Sequence, residues 1–365
     1  MRELGISIYP GHSELEKDKE YIKLAAKYGF TRIFTCLLSV AGDKEKIVEN
    51  FKETISYANS LGFKVIADIS PQIFQELNIS YNDLSFFKEI GVYGIRLDIG
   101  FTGNEESLMT FNEYDLKIEI NMSNNTNYVD TIMDYKPNKY NLLGCHNFYP
   151  HIYTGLTREH FRKCNKRFMK YGLITAAFVN SQNGNFGPWP VNEGICTLEE
   201  HRNLPIEVAA KDLFREGINS VIIANCYASE EELKRLGELK KDMLDLSVIL
   251  VDNIPEVEKD IVLNTLHFNR GDINEIFIRS TQSRVKYKGH NFELFNPVDI
   301  KRGDIIIESS LYGSYAGELQ IAKKDMKNSG KSNVVGRIRE EELYLLDLIE
   351  PWEKFVLKEE EAVAI

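Results

Sequence analysis

The chain is poor in several features that would assign it to large classes of protein. No apolar run approaches the length that crosses a bilayer, so no membrane span or membrane partner is expected. Positive charge is short: 44 Lys and Arg stand against 55 Asp and Glu, a formal net charge of −11. Phosphate backbones select Lys- and Arg-rich faces, so this balance argues against nucleic acid as a partner. Cysteine is sparse, and the five residues Cys36, Cys145, Cys164, Cys196 and Cys226 make an odd number with no C-x-x-C pair. Three of them lie in apolar strand-like runs, the pattern of reduced, buried thiols in a cytoplasmic protein. No basic and then apolar leader precedes the first strand-like run, "LGISIYP", so no signal peptide is expected. H-x-H and H-E-x-x-H are missing, and the reading is of a protein with no metal and no cofactor.

What is present is a repeating phrase: amphipathic helix, glycine, apolar strand. It occurs at Gly29, Gly62, Gly91, Gly172 and Gly217. A glycine just past a helix end can take the left-handed conformation that closes the last turn. The strands that follow are short and almost continuously apolar, as in a parallel sheet covered by helices. "LGISIY", "RIFTCLL", "KVIADI", "GIRLDI", "KIEIN", "LLGCHN", "LITAAFV" and "SVIIAN" make eight strands. Eight such units predict an α/β fold of the (β/α)8 TIM-barrel type, with a doubly wound open sheet as the alternative. Ser13 to Glu16 and Thr197 to Glu200 both match a capping box at a helix start. After Leu236 the texture changes to "LSVILVDNIP", "IVLNTLHFN", "NEIFIRSTQ", "RVKYKGHNFELF", "DIIIESSLY" and "ELQIAKK", strand-like runs between turn residues. The division predicted is a catalytic barrel over residues 1–244 and a β domain over 245–358.

Barrel enzymes carry their chemistry at the C-terminal strand ends. Side chains alternate along a strand, so parity selects the inward set. Ile95, Leu97 and Ile99 are expected to face the helices, leaving Arg96 and Asp98 inward. Ile118, Ile120 and Met122 place Glu119 and Asn121 inward. Val65, Ala67 and Ile69 do the same for Asp68 and Ser70. Three acids, Asp68, Asp98 and Glu119, then share one arginine on neighbouring strands. Such a set should hold one carboxyl protonated, the state of a general acid. His146, Asn147, Tyr149, His151 and Tyr153 cluster after the sixth strand, where rings and amides suit a sugar. After the seventh strand comes "NSQNGNFGPWPVNEGICTLEEHR", with Trp189 between two prolines. Glu200 is read there as a helix cap and Glu199 as favouring the helix dipole, which leaves Glu193 without a structural duty. Asp98 and Glu193 are the expected catalytic pair, Glu193 as acid and Asp98 as base or nucleophile, because paired carboxylates flanking a bond hydrolyse glycosides. Asp68, Arg96, Glu119, Asn121, His146, Asn147, Tyr149, Tyr153 and Trp189 are the expected substrate contacts.

"GISIYPG", "FTRIFTCL", "ADISP", "GIRLDIGF", "CHNFYPHIYTGL", "NEGICTLEEHR" and "RGDIIIESSLYGSYAGELQIAKK" together resemble the bacterial 6-phospho-N-acetylmuramidase family over nearly the whole chain. The resemblance implies a TIM barrel followed by a small cyclophilin-like β-barrel. It also implies cytoplasmic cleavage of the β-1,4 bond between N-acetylmuramic acid 6-phosphate and N-acetylglucosamine, in the recycling of peptidoglycan sugars. The partner is then a phosphorylated amino-sugar disaccharide. Its phosphate needs local positive charge that the barrel loops lack, and Arg279 and Arg284 of the β domain are expected to reach the mouth and supply it. The backbone amides of "NSQNGNFG" are a further candidate. Another phosphosugar barrel enzyme (a lyase or epimerase) and a non-enzymatic carbohydrate-binding protein are the alternatives. A strand-end lysine, needed by a Schiff-base aldolase, is missing from all eight strands.

Overall fold

The computed structural model describes residues 2–37, 44–70, 73, 74, 77 and 79–360. Eight parallel strands close into a barrel in sequence order: β1 (Glu3–Ile8), β2 (Arg32–Leu37), β3 (Lys64–Ile69), β4 (Gly94–Leu97), β5 (Lys117–Asn121), β6 (Leu142–Cys145), β7 (Ile174–Val179) and β8 (Ser220–Ile223). β1 pairs with both β2 and β8, which completes the ring and excludes the open sheet. All eight expected strands are there. The helices that alternate with them include α1 (Leu15–Lys27), α2 (Lys44–Ser60), α3 (Ser85–Glu89), α4 (Asn104–Met109), α5 (Tyr128–Asp134), α6 (Arg158–Met169), α7 (Ile206–Arg215) and α8 (Glu230–Gly237). The helix-closing glycines behave as expected; φ is 77° at Gly29 and 88° at Gly217, a region costly to side chains with a Cβ. The capping box at Ser13 does not form. Its hydroxyl instead donates to the Asp18 carboxylate at 2.6 Å, a buried acid that competes for it.

Ile33, Val65, Ile95, Ile118 and Val221 face the helices and pack with Ile22, Ile55, Phe87 and Leu213 into the main core. The barrel interior is divided. Tyr9, Phe34, Phe178 and Ile222 fill the side formed by β1, β2, β7 and β8, with Phe34 and Phe178 edge-to-face at 5.0 Å. The opposite wall, β3 to β5, carries charge instead. That asymmetry sets where polar chemistry can occur.

The chain separates into two compact units, Met1–Leu239 and Lys240–Ile365. The second is a seven-stranded sheet made of β9 (Leu244–Leu250), β10 (His267–Phe268), β11 (Phe277–Ser280), β12 (Asp304–Glu308), β13 (Leu319–Ala322), β14 (Ser332–Ile338) and β15 (Lys354–Glu359). Their order is β10-β15-β9-β14-β12-β13-β11. The edge strands nearly close the sheet on itself: Arg270 N–H donates to Arg279 O at 3.0 Å, and His267 Nδ1 meets Ser280 Oγ at 3.0 Å. Two runs expected as strands differ. The first half of "IVLNTLHFN" ends a helix, α9 (Glu256–Asn264), because Glu258, Ile261 and Val262 at helical spacing give it one buried face. "RVKYKGHNFELF" holds the end of a short helix, Gln282–Lys286, and no strand.

Glu258 has a consequence for stability. Its carboxyl is buried and accepts from Asn333 at 2.8 Å, and burial pushes it up to about 7. A carboxyl raised in the folded state binds its proton more tightly there than in the unfolded chain. Its contribution is therefore full below the unfolded value and is lost as pH rises through about 7. Glu258→Gln stays neutral and keeps an acceptor for Asn333. It is expected to gain on the order of 1–3 kcal/mol at pH 8 and nothing at pH 4. Thermal melts of both chains at the two pH values check this; an equal shift at both would refute the assignment.

Candidate active site

The register aligns Asp68 with Arg96 and Arg96 with Glu119, so the charged wall is one row across β3, β4 and β5. Arg96 is buried at its centre. Its Nη1 donates to Asp68 Oδ1 at 2.7 Å and to Asp98 Oδ1 at 3.2 Å, and its Nη2 donates to Asn147 Oδ1. Asn121 Nδ2 donates to Asp98 Oδ1 at 3.2 Å. Two carboxylate oxygens on one nitrogen lie at most about 6 Å apart. Their surroundings differ. The Asp98 side chain is 48% exposed, that of Asp68 only 11%. Burial raises the Asp68 carboxyl above its ordinary value against the pull of Arg96, and the Asp98 and Glu119 charges add to the rise. One acid favouring its proton beside an open carboxylate is the division of labour that acid–base chemistry uses.

Two expectations for this wall are corrected. Ile99 does not face the helices; β4 ends at Leu97, parity ends with it, and Ile99 is 67% exposed. Glu119 does not share Arg96. It pairs with Arg32, which enters from the first residue of β2 and crosses the barrel interior to it. With no exposure at all, Glu119 belongs to the filling of the barrel and has no surface to offer a ligand.

The loop after β6 divides in the same way. His146 is fully buried and stacks on Phe161 at 4.5 Å, with Nδ1 on Ser123 Oγ at 3.0 Å and Nε2 on Asn165 Oδ1 at 2.8 Å. Burial lowers it to about 3, so the ring is neutral and both nitrogens are engaged. It holds β6 to α6 and is not a sugar contact. Asn147 bonds Arg96, Tyr149 is half-buried, and Tyr153 stands 83% exposed.

The loop after β7 is stitched to that one. Thr197 is no helix cap; its hydroxyl donates to Asn147 O and accepts from Phe178 N–H, both at 2.9 Å. Glu193 N–H donates to Pro150 O at 3.0 Å, and the Glu193 carboxylate accepts from Ile152 N–H at 3.0 Å with His151 Nδ1 3.8 Å away. Glu199, read as a dipole residue, instead receives two backbone amides of the β6 loop and the Arg202 guanidinium. Trp189 is about half exposed and its neighbour Pro188 is buried. The structure thus joins Asp98 to Asp68, and joins Glu193 to the β6 loop.

Barrels commonly hold phosphate between the last two loops at a helix N-terminus. Here a carboxylate of the chain fills that place. Glu232 caps α8 on Ser229 and also takes Ser181 Oγ at 2.7 Å and Gln182 N–H at 2.8 Å. The amides of Asn183 and Gly184 bond Ser181 Oγ, and those of Ser181, Gln182 and Phe186 bond Asn225, Glu232 and Cys226, so these five amides of "NSQNGNFG" are already engaged. In the second unit, Arg279 and Arg284 both pair with fully buried Glu318, at 2.7 and 3.0 Å. Among the described residues one trio, Glu200, His201 and Asp212, brings three ligand-type atoms within 4.8 Å of one another. Arg158 reaches both carboxylates and is the cation of that cluster.

A closed parallel barrel with two unlike acids tied to one arginine on its C-terminal rim is the arrangement of a barrel enzyme, whose chemistry sits at that end. Comparison with known proteins makes this specific. The family models "6-phospho-N-acetylmuramidase, N-terminal" and "6-phospho-N-acetylmuramidase, C-terminal" match residues 4–238 and 244–358. The chain belongs to the 6-phospho-N-acetylmuramidase family and is a glycoside hydrolase of that type. It is similar to the crystal structure of an uncharacterized B. cereus protein, with 50% identity over 98% of this chain and 99% of that one and a TM-score of 0.89. It is also similar to a conserved Enterococcus faecalis protein of unknown function, with 25% identity over 98% and 97% and a TM-score of 0.71. A search of curated proteins gave no match. No helix among the described residues is long and apolar enough to cross a membrane.

Proposed function

We propose that the chain hydrolyses the β-1,4 bond between N-acetylmuramic acid 6-phosphate and N-acetylglucosamine, in the cytoplasm, as a step in recycling cell-wall sugars. The observation that carries the site assignment is the shared Arg96 nitrogen. Asp98, the more open of the two, attacks the anomeric carbon of the muramic sugar. Asp68, holding a proton, gives it to the departing glycosidic oxygen. Water then attacks the glycosyl ester, yields its proton to Asp68 and frees Asp98. One negative charge stays on Arg96 throughout: Asp98 carries it first, and Asp68 carries it once Asp98 is esterified. The two oxygens on that nitrogen lie at most about 6 Å apart, which favours the close, retaining arrangement over the wider spacing of inverting pairs. The acid role expected for Glu193 passes to Asp68, because the Glu193 carboxylate is engaged with the Ile152 amide. Five free cysteines fit a reducing compartment.

In the second unit, Arg279 and Arg284 are proposed as an anion site of that unit, as the phosphate expectation requires. Two guanidiniums share one buried carboxylate, which leaves positive charge over for an anion. Arg284→Ala is expected to weaken binding of inorganic phosphate about tenfold or more. Calorimetric titration with inorganic phosphate tests it, and unchanged binding would remove the assignment.

A further inference from the structure

Tyr153 has a backbone no core requirement explains. Its φ is 69°, the left-handed region that costs a residue with a Cβ roughly 1–2 kcal/mol, yet its ring is 83% exposed and adds little to packing. Glycine would be the cheaper occupant. The strain is held in place by a clasp from the other loop. Glu199 Oε1 accepts from Tyr153 N–H at 2.9 Å and Oε2 from Gly155 N–H at 2.7 Å. A Cβ on Gly155 would meet Glu199 Oε2 at 2.7 Å and Cα at 2.9 Å, so only glycine allows the approach. Behind Glu199 lies Arg202, a buried guanidinium that grips the carboxylate with two nitrogens, at 2.7 and 2.6 Å. Its third nitrogen takes the carbonyls of Tyr149 at 3.0 Å and of Gly194. Arg202 and the two amides pull the Glu199 carboxyl down to about 2, so the clasp is ionised at every working pH. Glu193 adds a further bond to the same loop through Ile152 N–H at 3.0 Å.

We infer that Tyr153 is a preformed stacking platform for the N-acetylglucosamine ring, and that Arg202 and Glu199 are positioning residues that fix it. Strain kept at an exposed aromatic is a ground for proposing a ligand contact, and a rigid ring costs little entropy when it binds. The identity of the sugar rests on the disaccharide reading above.

The test uses the full chain. Tyr153→Gly removes the ring and relieves the backbone, so Tm should hold or rise while KM for the phosphorylated disaccharide rises about tenfold. Tyr153→Phe should restore KM. Glu199→Gln places an N–H against an amide N–H and opens the clasp. It should raise KM like Tyr153→Gly, with kcat less affected, and the double variant should be no worse than Tyr153→Gly alone. An unchanged KM in Tyr153→Gly, or a Glu199→Gln variant that loses Tm alone, would overturn the inference. Saturation-transfer NMR with free N-acetylglucosamine separates this from the substrate reading. The signal should be present in the unaltered chain and Tyr153→Phe and lost in Tyr153→Gly, whatever the disaccharide does. No signal in the unaltered chain, or an equal one in Tyr153→Gly, would refute the platform.

Discussion

Asp98→Asn is expected to lower kcat by about three orders of magnitude or more, with Tm nearly unchanged. Asparagine keeps the shape and an oxygen that can accept from Arg96 Nη1 and Asn121 Nδ2. The half-exposed side chain fills no core. What is removed is the negative charge that attacks the anomeric carbon, an interaction made only on the way to the transition state. KM should therefore move little. A single-turnover assay would also lose its covalent intermediate. Turnover within tenfold of the unaltered chain would take Asp98 out of the chemistry.

Asp68→Asn should lower kcat by roughly 10²–10⁴, the span that general acid catalysis supplies. Its pH profile carries the more specific signature. A general acid works only while protonated, so activity falls as pH rises through its raised value, and that alkaline limb should vanish in Asp68→Asn. Glu193→Gln should cost less than tenfold, because one loop bond is weakened and no proton donor is lost. The opposite ranking, with Glu193→Gln the slower enzyme and the alkaline limb intact in Asp68→Asn, would return the acid role to Glu193.

The barrel was legible because its signal repeats: at Gly29, Gly62, Gly91, Gly172 and Gly217 a glycine follows a helix and an apolar strand follows the glycine. The inward row of Asp68, Arg96 and Asn121 was legible from parity, which holds while a strand is regular and ends where it ends; Asp98, one residue past β4, joins it through Arg96 and Asn121. Ile99, two residues past the end of β4, shows that limit. Parity tells which way a side chain points and not whom it meets. Arg32 was therefore invisible as the partner of Glu119, since the pair joins strands far apart in the ring. Glu199 and Glu232 sit in runs of glutamates that read as helix starts. Glu232 does cap its helix, yet it also closes the loop where a phosphate would otherwise sit. His146 looked like a ligand-facing residue because a strand-end histidine and a buried one have the same letter. The Ser123 and Asn165 partners that bury it come from other elements. In the second unit, the run "IVLNTLHFN" reads as a strand because it is short and apolar, but its first four residues end α9, whose signal is the helical spacing of Glu258, Ile261 and Val262.

The central claim is that the two acids on Arg96 cleave the phosphorylated disaccharide as a close, retaining pair. Proton NMR of the reaction at its earliest time points tests it most directly. With the purified chain and β-1,4-linked N-acetylmuramic acid 6-phosphate–N-acetylglucosamine, the account predicts that the β-anomer of N-acetylmuramic acid 6-phosphate appears first and the α-anomer only later, by mutarotation. An α-anomer formed first would mean a water between more distant carboxylates, and no release of either sugar would mean a different substrate; each result contradicts the account.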